Sequence, residues 1–100
     1  MSFYATTLQH PTVDPGYSGT GTATAAWAAL GGTRKYAQTG IWVKNEDDTN
    51  DLQVRDAGST SGLTLIPGEA RFFPIDETSR LEIARASGAS GDVSYSYWAG

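Results

Sequence analysis

The side chains with the greatest capacity for chemistry in this sequence are carboxylates that fall between two predicted strands. They are Glu46, Asp47, Asp48 and Asp51. Clustered carboxylate oxygens are the ligands that Ca²⁺ prefers in proteins. The run lacks the central glycine and the distant glutamate of an EF-hand loop, so a polar loop that joins two strands is the competing interpretation. The sequence leaves open whether this loop binds a cation, and we assign no metal ligand.

A second pair of carboxylates, Asp76 and Glu77, could support the acid–base chemistry of a glycosidase. Adjacent residues on a turn point in different directions, so this pair does not converge on one bond. His10 is the only histidine and cysteine is absent, which leaves no material for a histidine–cysteine metal cage or a recognisable catalytic triad. We therefore predict that the chain is not an enzyme and that it uses no cofactor.

The aromatic residues are the remaining candidates for function. The chain has 3 Trp, 5 Tyr and 3 Phe, which is more than a small core needs. Strand alternation places Trp42 and Trp98 on the outer side, where aromatic side chains often anchor protein–protein interfaces and also serve as platforms on which sugars stack. A one-residue slip of strand register would bury both rings instead. The sequence keeps these alternatives open.

The elements that must position these side chains are short strands. Residues 41–45, IWVKN, form one strand after a bend near Gly40, and residues 93–98 alternate valine and tyrosine with serine and tryptophan. The residues expected to face inward in the first of these strands and in two others are Ile41, Val43, Leu52, Val54, Leu81 and Ile83. Pro67 followed by Gly68 predicts a type II turn, and Pro74 predicts an edge strand or a strand end.

The first third of the chain is harder to interpret. Residues 20–30 are rich in alanine, which favours a helix, but alternate threonine with alanine, which favours a strand. We predict a strand through about Trp27. Residues 1–19 contain two prolines and no sustained period, so we predict an extended N-terminal arm followed by one domain over residues 20–100.

Length and charge bound the class of protein. One hundred residues suffice for one domain with one core, and the formal net charge of -4 with scattered basic residues argues against a nucleic-acid partner. The N-terminus has neither the basic nor the apolar part of a signal peptide, and no run is long enough for a membrane helix. We expect synthesis in a cytoplasm and no membrane partner.

About six or seven short strands at spacings of roughly 8–12 residues, with turns between them, are typical of a sandwich or a small barrel. We predict an all-β fold, a small jelly-roll-like β-sandwich preceded by the extended arm. Three segments carry the most distinctive sequence patterns, and they follow one another in the order "IWVKN", "SGLTLIPGEARFFPI" and "RLEIARASGASGDVSYSYW".

That order, over roughly residues 20–98, resembles the small all-β structural proteins of tailed bacteriophages and prophages. These proteins share a strand ending in Asn, a short "VG"-like strand, a G-x-x-L-x-P-G-E turn and a final I-x-V-x-x-x-S-G-x-x-V-S-Y hairpin. In this sequence the turn matches at Gly62, Leu63, Leu65, Pro67, Gly68 and Glu69. The corresponding hairpin residues are Leu81, Ile83, Ser90, Gly91, Val93, Ser94 and Tyr95, at a spacing that differs from the pattern between Ile83 and Val93. At Phe72, Phe73 and Pro74 this sequence departs from the pattern, because many proteins of that family have less distinctive residues there.

The resemblance implies a virion component without catalytic residues, and head decoration is frequent among such proteins. We expect a capsid decoration or cement protein, assembled into the virion in the host cytoplasm, whose partners are the major capsid protein, other virion proteins and copies of itself. A tail, collar or fibre-attachment component is one alternative, and a carbohydrate-binding module is another. The hypothetical interface comprises Phe3, Tyr4, Leu8, Tyr17, Trp42, Phe72, Tyr97 and Trp98.

Overall fold

The computed structural model describes residues 18–32 and 34–99, and this part of the chain is built almost entirely of strands. The strands are β1 Ser18–Ala23, β2 Ala28–Ala29, β3 Ile41–Asn45, β4 Leu52–Asp56, β5 Leu63–Leu65, β6 Ala70–Phe73, β7 Leu81–Arg85 and β8 Val93–Ala99. A single 3-10 turn, Thr78–Arg80, precedes β7. Among these residues there is no helix of the length and apolar character that crossing a membrane requires.

The strands form two antiparallel sheets that enclose the core. The first sheet has the order β1-β8-β3-β6 and the second has the order β2-β7-β4-β5. Side chains of both sheets meet in one hydrophobic cluster, to which β3 and β8 contribute from one side and β4 and β7 from the other. The prediction of an all-β protein is therefore correct, and two packed antiparallel sheets are the architecture of a small β-sandwich.

The alternation predicted from the sequence is confirmed in the strands that build the core. In β3 the side chains of Ile41 and Val43 are fully buried, whereas Trp42 and Lys44 are only partly buried. The same pattern recurs in β4, β7 and β8, whose buried positions begin at Leu52, Leu81 and Val93 and repeat every second residue, with the small Ala84 of β7 buried in addition. Because β-strand side chains point alternately to the two faces, each strand presents one apolar side to the core.

The Pro67–Gly68 turn and the end of β6 also match their predictions. Gly68 has a φ of +82°, and the N–H of Glu69 donates to the carbonyl of Ile66 at 2.9 Å, as a type II turn requires. β6 is the last strand of the first sheet and ends at Phe73, directly before Pro74. A proline there removes no ladder hydrogen bond, since the strand has already stopped.

The beginning of the domain differs from the prediction. The strand expected through about Trp27 ends at Ala23, and the two-residue β2 follows after a bend. Of the segment expected as an arm, residues 18 and 19 lie in β1, paired with β8, and residues 1–17 lie outside the described residues. The strand starts early because Ser18 already pairs with Trp98.

Candidate functional site

Three of the proposed interface residues form one row across the outer face of the first sheet. In the strand register Trp42 lies opposite Trp98 on one side and opposite Phe72 on the other. The two indole rings are stacked, with centroids 6.1 Å apart and planes inclined by 11°, and the Phe72 ring is tilted 5.3 Å from Trp42. All three side chains are half-buried. We call Phe72, Trp42 and Trp98 the aromatic row.

The local sequence fixes this row in two ways. Trp42 and Trp98 occupy the outward positions of strands whose inward neighbours, Ile41, Val43 and Tyr97, are in the core. Gly40 precedes β3 and lets the Phe72 ring approach the backbone, because a Cβ at Gly40 would lie 2.3 Å from the Phe72 Cζ atom. The bend expected near Gly40 is thus the place where the row meets the main chain.

The rest of the outer face beside the row is polar and already hydrogen-bonded. The ammonium of Lys44 lies 3.6 Å from a carboxylate oxygen of Glu46, and the other oxygen of Glu46 accepts a hydrogen bond of 2.6 Å from the Ser96 hydroxyl. Thr20 and Thr22 of β1 are exposed on the same face. The face therefore combines a strip of aromatic surface with a small polar region in which the charges are paired.

The predicted interface includes Tyr97, but the structure buries this residue and corrects that prediction. Its side chain is 4% exposed and belongs to the core with Tyr95, at a ring-centroid distance of 6.2 Å. The Tyr95 hydroxyl accepts a hydrogen bond of 2.9 Å from the Gly31 N–H, while burial raises the pKa of Tyr95 above its usual value. Both tyrosines are inward residues of β8, so neither ring offers a surface for a partner or a sugar.

In the acidic loop after β3, the carboxylate of Asp47 accepts hydrogen bonds from backbone N–H groups of the same loop. The Asp47 Oδ2 atom accepts hydrogen bonds from the N–H groups of Thr49 and Asn50, at 3.0 and 2.6 Å. These hydrogen bonds lower the pKa of Asp47 below its usual value, because they favour the charged form. Within residues 18–32 and 34–99 no group of three or more histidine, cysteine or acidic residues has the geometry to hold a metal ion.

The loop is anchored by the asparagine that ends β3. Asn45 has no exposed surface, and its Nδ2 group donates to the carbonyls of Asn50 and Leu65, each at 2.9 Å. Its Oδ1 atom accepts from the Asp47 N–H at 2.8 Å. The side chain thus satisfies backbone groups of the loop after β3 and of the last residue of β5, which gives the strand-ending asparagine of the sequence pattern a structural role.

The carboxylates of Asp76 and Glu77 belong to separate contacts. Asp76 accepts a hydrogen bond of 2.6 Å from the Arg80 guanidinium. Glu77 accepts one from the Ser79 hydroxyl and lies 4.0 Å from Arg34. The two groups therefore do not converge on a shared position, as the acid–base interpretation would need.

Trp27, predicted at the end of the first strand, lies instead between β1 and β2, against a residue of the second sheet. The Arg55 guanidinium lies 4.1 Å from the centre of the Trp27 ring and 2.8 Å from Glu82. A cation over its ring covers one face of Trp27, in contrast to the tryptophans of the aromatic row. Trp27 lies outside the regular strands, so alternation could not indicate its neighbours.

The remaining interface candidates, Phe3, Tyr4, Leu8 and Tyr17, lie outside the described residues, as does His10. No protein-family model, curated protein or solved structure matches this chain. The strongest candidate for a functional surface is therefore defined by geometry alone, and it is the outer face of the first sheet with its aromatic row.

Proposed function

We propose that this chain is a structural protein of a tailed-bacteriophage virion and that it decorates the head shell. The observation that carries this proposal is the aromatic row, which presents two tryptophans and a phenylalanine in register on the outside of a sheet. Aromatic side chains supply large contact area at low cost in conformational entropy, and they dominate the binding energy of many interfaces. The sequence resemblance to phage structural proteins supplies the class of partner.

We further propose that the sandwich is a jelly roll. Its strand order, β1-β8-β3-β6 over β2-β7-β4-β5, supports this, because every consecutive pair of strands except β4–β5 crosses between the sheets. A double sheet of eight antiparallel strands with such Greek-key connections is a common design of viral capsid domains and of lectins. The architecture is thus compatible with a virion role and with the carbohydrate alternative, and experiment must separate them.

The binding mechanism in this proposal is the burial of apolar surface against the shell. At about 25 cal/mol per Å², a contact of a few hundred Å² contributes several kcal/mol before the cost of ordering is subtracted. Repetition of the contact over a symmetric shell multiplies the effect. The net charge of -4 keeps the free protein soluble and repels it from packaged DNA.

The decisive experiment measures how many copies of the chain a particle carries. Particles purified from the phage or induced prophage that encodes the chain would be analysed by quantitative mass spectrometry, with the major capsid protein as the internal reference. A copy number comparable with that of the capsid protein supports head decoration. A few copies per particle would assign the chain to the tail, collar or fibre attachment, and its absence from particles would overturn the virion role.

A second experiment tests the aromatic row as the binding face. Trp98→Ala should weaken binding to undecorated heads at least tenfold, whereas Trp27→Ala, beside the opposite sheet, should leave binding near that of the wild type. Both variants would first be checked for an unchanged circular dichroism spectrum. If the two variants bind equally well, the row is not the contact. Binding of the wild type on a glycan array, lost in Trp98→Ala, would favour the carbohydrate-binding alternative.

A further inference from the structure

The sandwich has four edge strands within the described residues, and their protection is unequal. β1 and β6 flank the first sheet, while β2 and β5 flank the second. An edge strand exposes a row of unpaired N–H and C=O groups, and soluble proteins blunt such edges with short strands, charged side chains or proline. An edge that lacks all three devices is a template on which another strand can be added.

Three of the edges carry at least one of these devices. β2 has two residues and β5 has three, which is too short for a stable ladder with a partner. β6 carries Arg71, whose guanidinium lies 3.1 Å from Glu69, and it is followed by Pro74. Each of these strands is therefore a poor place to add another strand.

β1 is the exception. It has six residues, SGTGTA, with neither a charge nor a proline. Thr20 and Thr22 are exposed on its outer face, and the inward positions Gly19 and Gly21 have no side chain. With six residues it is longer than the other three edge strands, it is neutral, and on its free side no other strand of the described chain pairs with it.

The neutral surface extends beyond β1. Residues 18–32 contain no Asp, Glu, Lys or Arg, and this range includes β2 at the edge of the second sheet. A groove of about 300 Å³ runs between the two edges, with Ala23, Ala29 and Tyr95 among its lining residues. Residues 18–32 therefore bring no charge of their own to this side of the sandwich, although the paired Arg55 lies against Trp27 and the chain as a whole carries a net charge of -4.

We propose that a second copy of this chain adds its own β1 to this edge, antiparallel, so that two first sheets join into one continuous sheet. A strand that pairs antiparallel with itself is self-complementary about a two-fold axis, which is the commonest symmetry of protein dimers. An edge that binds a partner of opposite charge would itself carry charged side chains, and β1 carries none. A neutral edge instead allows two copies of an acidic chain to approach without repulsion.

The strand alternation also limits the register of this pairing. Residues that face each other must lie on the same face of the sheet, so the two-fold axis passes through a residue and not between two. With the axis at Gly21, Thr20 of one copy lies opposite Thr22 of the other, and Gly19 lies opposite Ala23. Cross-strand threonine pairs stabilise antiparallel sheets, and the glycine–alanine pair leaves the approach unobstructed.

This inference names one self-contact within the proposed function, but it concerns the isolated chain and does not require a virion. It is tested on the purified full-length protein, by sedimentation equilibrium over a wide range of concentration. We expect the wild type to reach twice the monomer mass. Thr20→Lys should raise the dimer dissociation constant at least tenfold, because an edge lysine opposes strand addition. Thr64→Lys, the same change on β5, should leave it unchanged.

Two further measurements keep the outcome interpretable. Hydrogen–deuterium exchange of the wild type should show β1 amides that become protected as the protein concentration rises, independently of any variant. A wild type that stays monomeric, or a Thr20→Lys protein that dimerises as tightly as the wild type, would overturn the proposal. So would a chain that dimerises only after residues 1–17 are removed, since that segment would then be the occupant of the edge. The virion role could survive each of these results.

Discussion

Asn45 shows how a single buried polar residue ties a loop to the end of a strand, because its side chain bonds the loop after β3 and the last residue of β5. Its Nδ2 group faces two backbone carbonyls, so Asn45→Asp would place a carboxylate oxygen where a donor is needed. We expect a loss of about 3–5 kcal/mol in the free energy of unfolding, the range for an uncompensated buried charge. Urea denaturation at neutral pH measures this loss.

The control for that variant is the same substitution at Asn50, in the loop between β3 and β4. The Asn50 Oδ1 atom accepts a hydrogen bond of 3.1 Å from the Ser90 N–H, and an aspartate can accept it equally well. Asn50→Asp should therefore stay within about 1 kcal/mol of the wild type. Equal losses in the two variants would show that the buried donor of Asn45 is not needed.

Asp47 makes the stability of the acidic loop depend on pH. Because backbone N–H groups lower its pKa in the folded state, its contribution is fully present above the ordinary aspartate pKa of 3.8 and is lost as the pH falls through the lower folded value. We expect Asp47→Asn to be less stable than the wild type at neutral pH. The difference should narrow in acid, where the wild-type carboxyl is protonated and resembles the amide.

Chemical denaturation at neutral pH and at a pH below the folded pKa of Asp47 measures both differences. Asp48→Asn serves as the control at neutral pH, since the structure shows no hydrogen bond to its side chain among the described residues, and it should match the wild type. A gap between Asp47→Asn and the wild type that stays constant or widens in acid would contradict the role of the carboxylate.

At the scale of the elements, the alternation of apolar and polar residues along the sequence was enough to predict β3, β4, β7 and β8. Each of these strands has an apolar side and a polar side, and a half-buried strand needs that contrast. β1 lacks it, because its inward positions are Gly19 and Gly21. The space above them is filled by tyrosines of β8, and a Cβ at Gly19 would lie 2.5 Å from the Tyr97 ring. That pairing joins residues far apart in the sequence.

For the candidate surface, the sequence likewise predicted which face of its own strand each aromatic side chain occupies, but not which strands lie side by side. The outward phase of Trp42 and Trp98 follows from the alternation within β3 and β8, and so does the inward phase of Tyr97, which precedes Trp98 in β8. Their assembly into a row with Phe72 depends on the neighbours that β3 takes, β8 and β6. Strand order is a long-range property, and no local pattern encodes it.

The junction between Gly40 and the aromatic row is the element most sensitive to a small change. A Cβ at Gly40 would meet the Phe72 ring at 2.3 Å and the backbone carbonyl oxygen of Phe73 at 2.4 Å, and the backbone has little room to move. We expect Gly40→Ala to cost about 1–3 kcal/mol, as overpacking of a close contact does, and to change the tryptophan fluorescence of the folded state.

Gly88→Ala is the matched control, because an added Cβ there meets no heavy atom within 4 Å. Its unfolding midpoint and its fluorescence should both match those of the wild type. If Gly40→Ala is equally silent, β6 does not approach the start of β3 as closely as described, and the position of Phe72 in the row would have to be revised.

At the scale of the whole molecule, the entry point of the N-terminal segment lies beside the aromatic row. β1 begins at Ser18, directly opposite Trp98, so residues 1–17 join the domain at the end of the row. The core cluster of the described chain runs from Ala23 to Tyr97 and joins both sheets. Deleting residues 1–17 should therefore leave the melting midpoint of the domain within a few degrees of the wild type.

The same deletion should weaken binding to phage heads, because the segment carries Phe3, Tyr4, Leu8 and Tyr17, which would add apolar contact area next to the row. A full-length variant with Phe3, Tyr4 and Leu8 changed to serine separates lost side chains from lost chain length, and it should bind as weakly as the truncated protein. Binding would be measured by co-sedimentation with undecorated heads. A truncated protein that still folds and decorates as well as the wild type would confine the contact to the sandwich, and a truncated protein that unfolds would place these residues in its core.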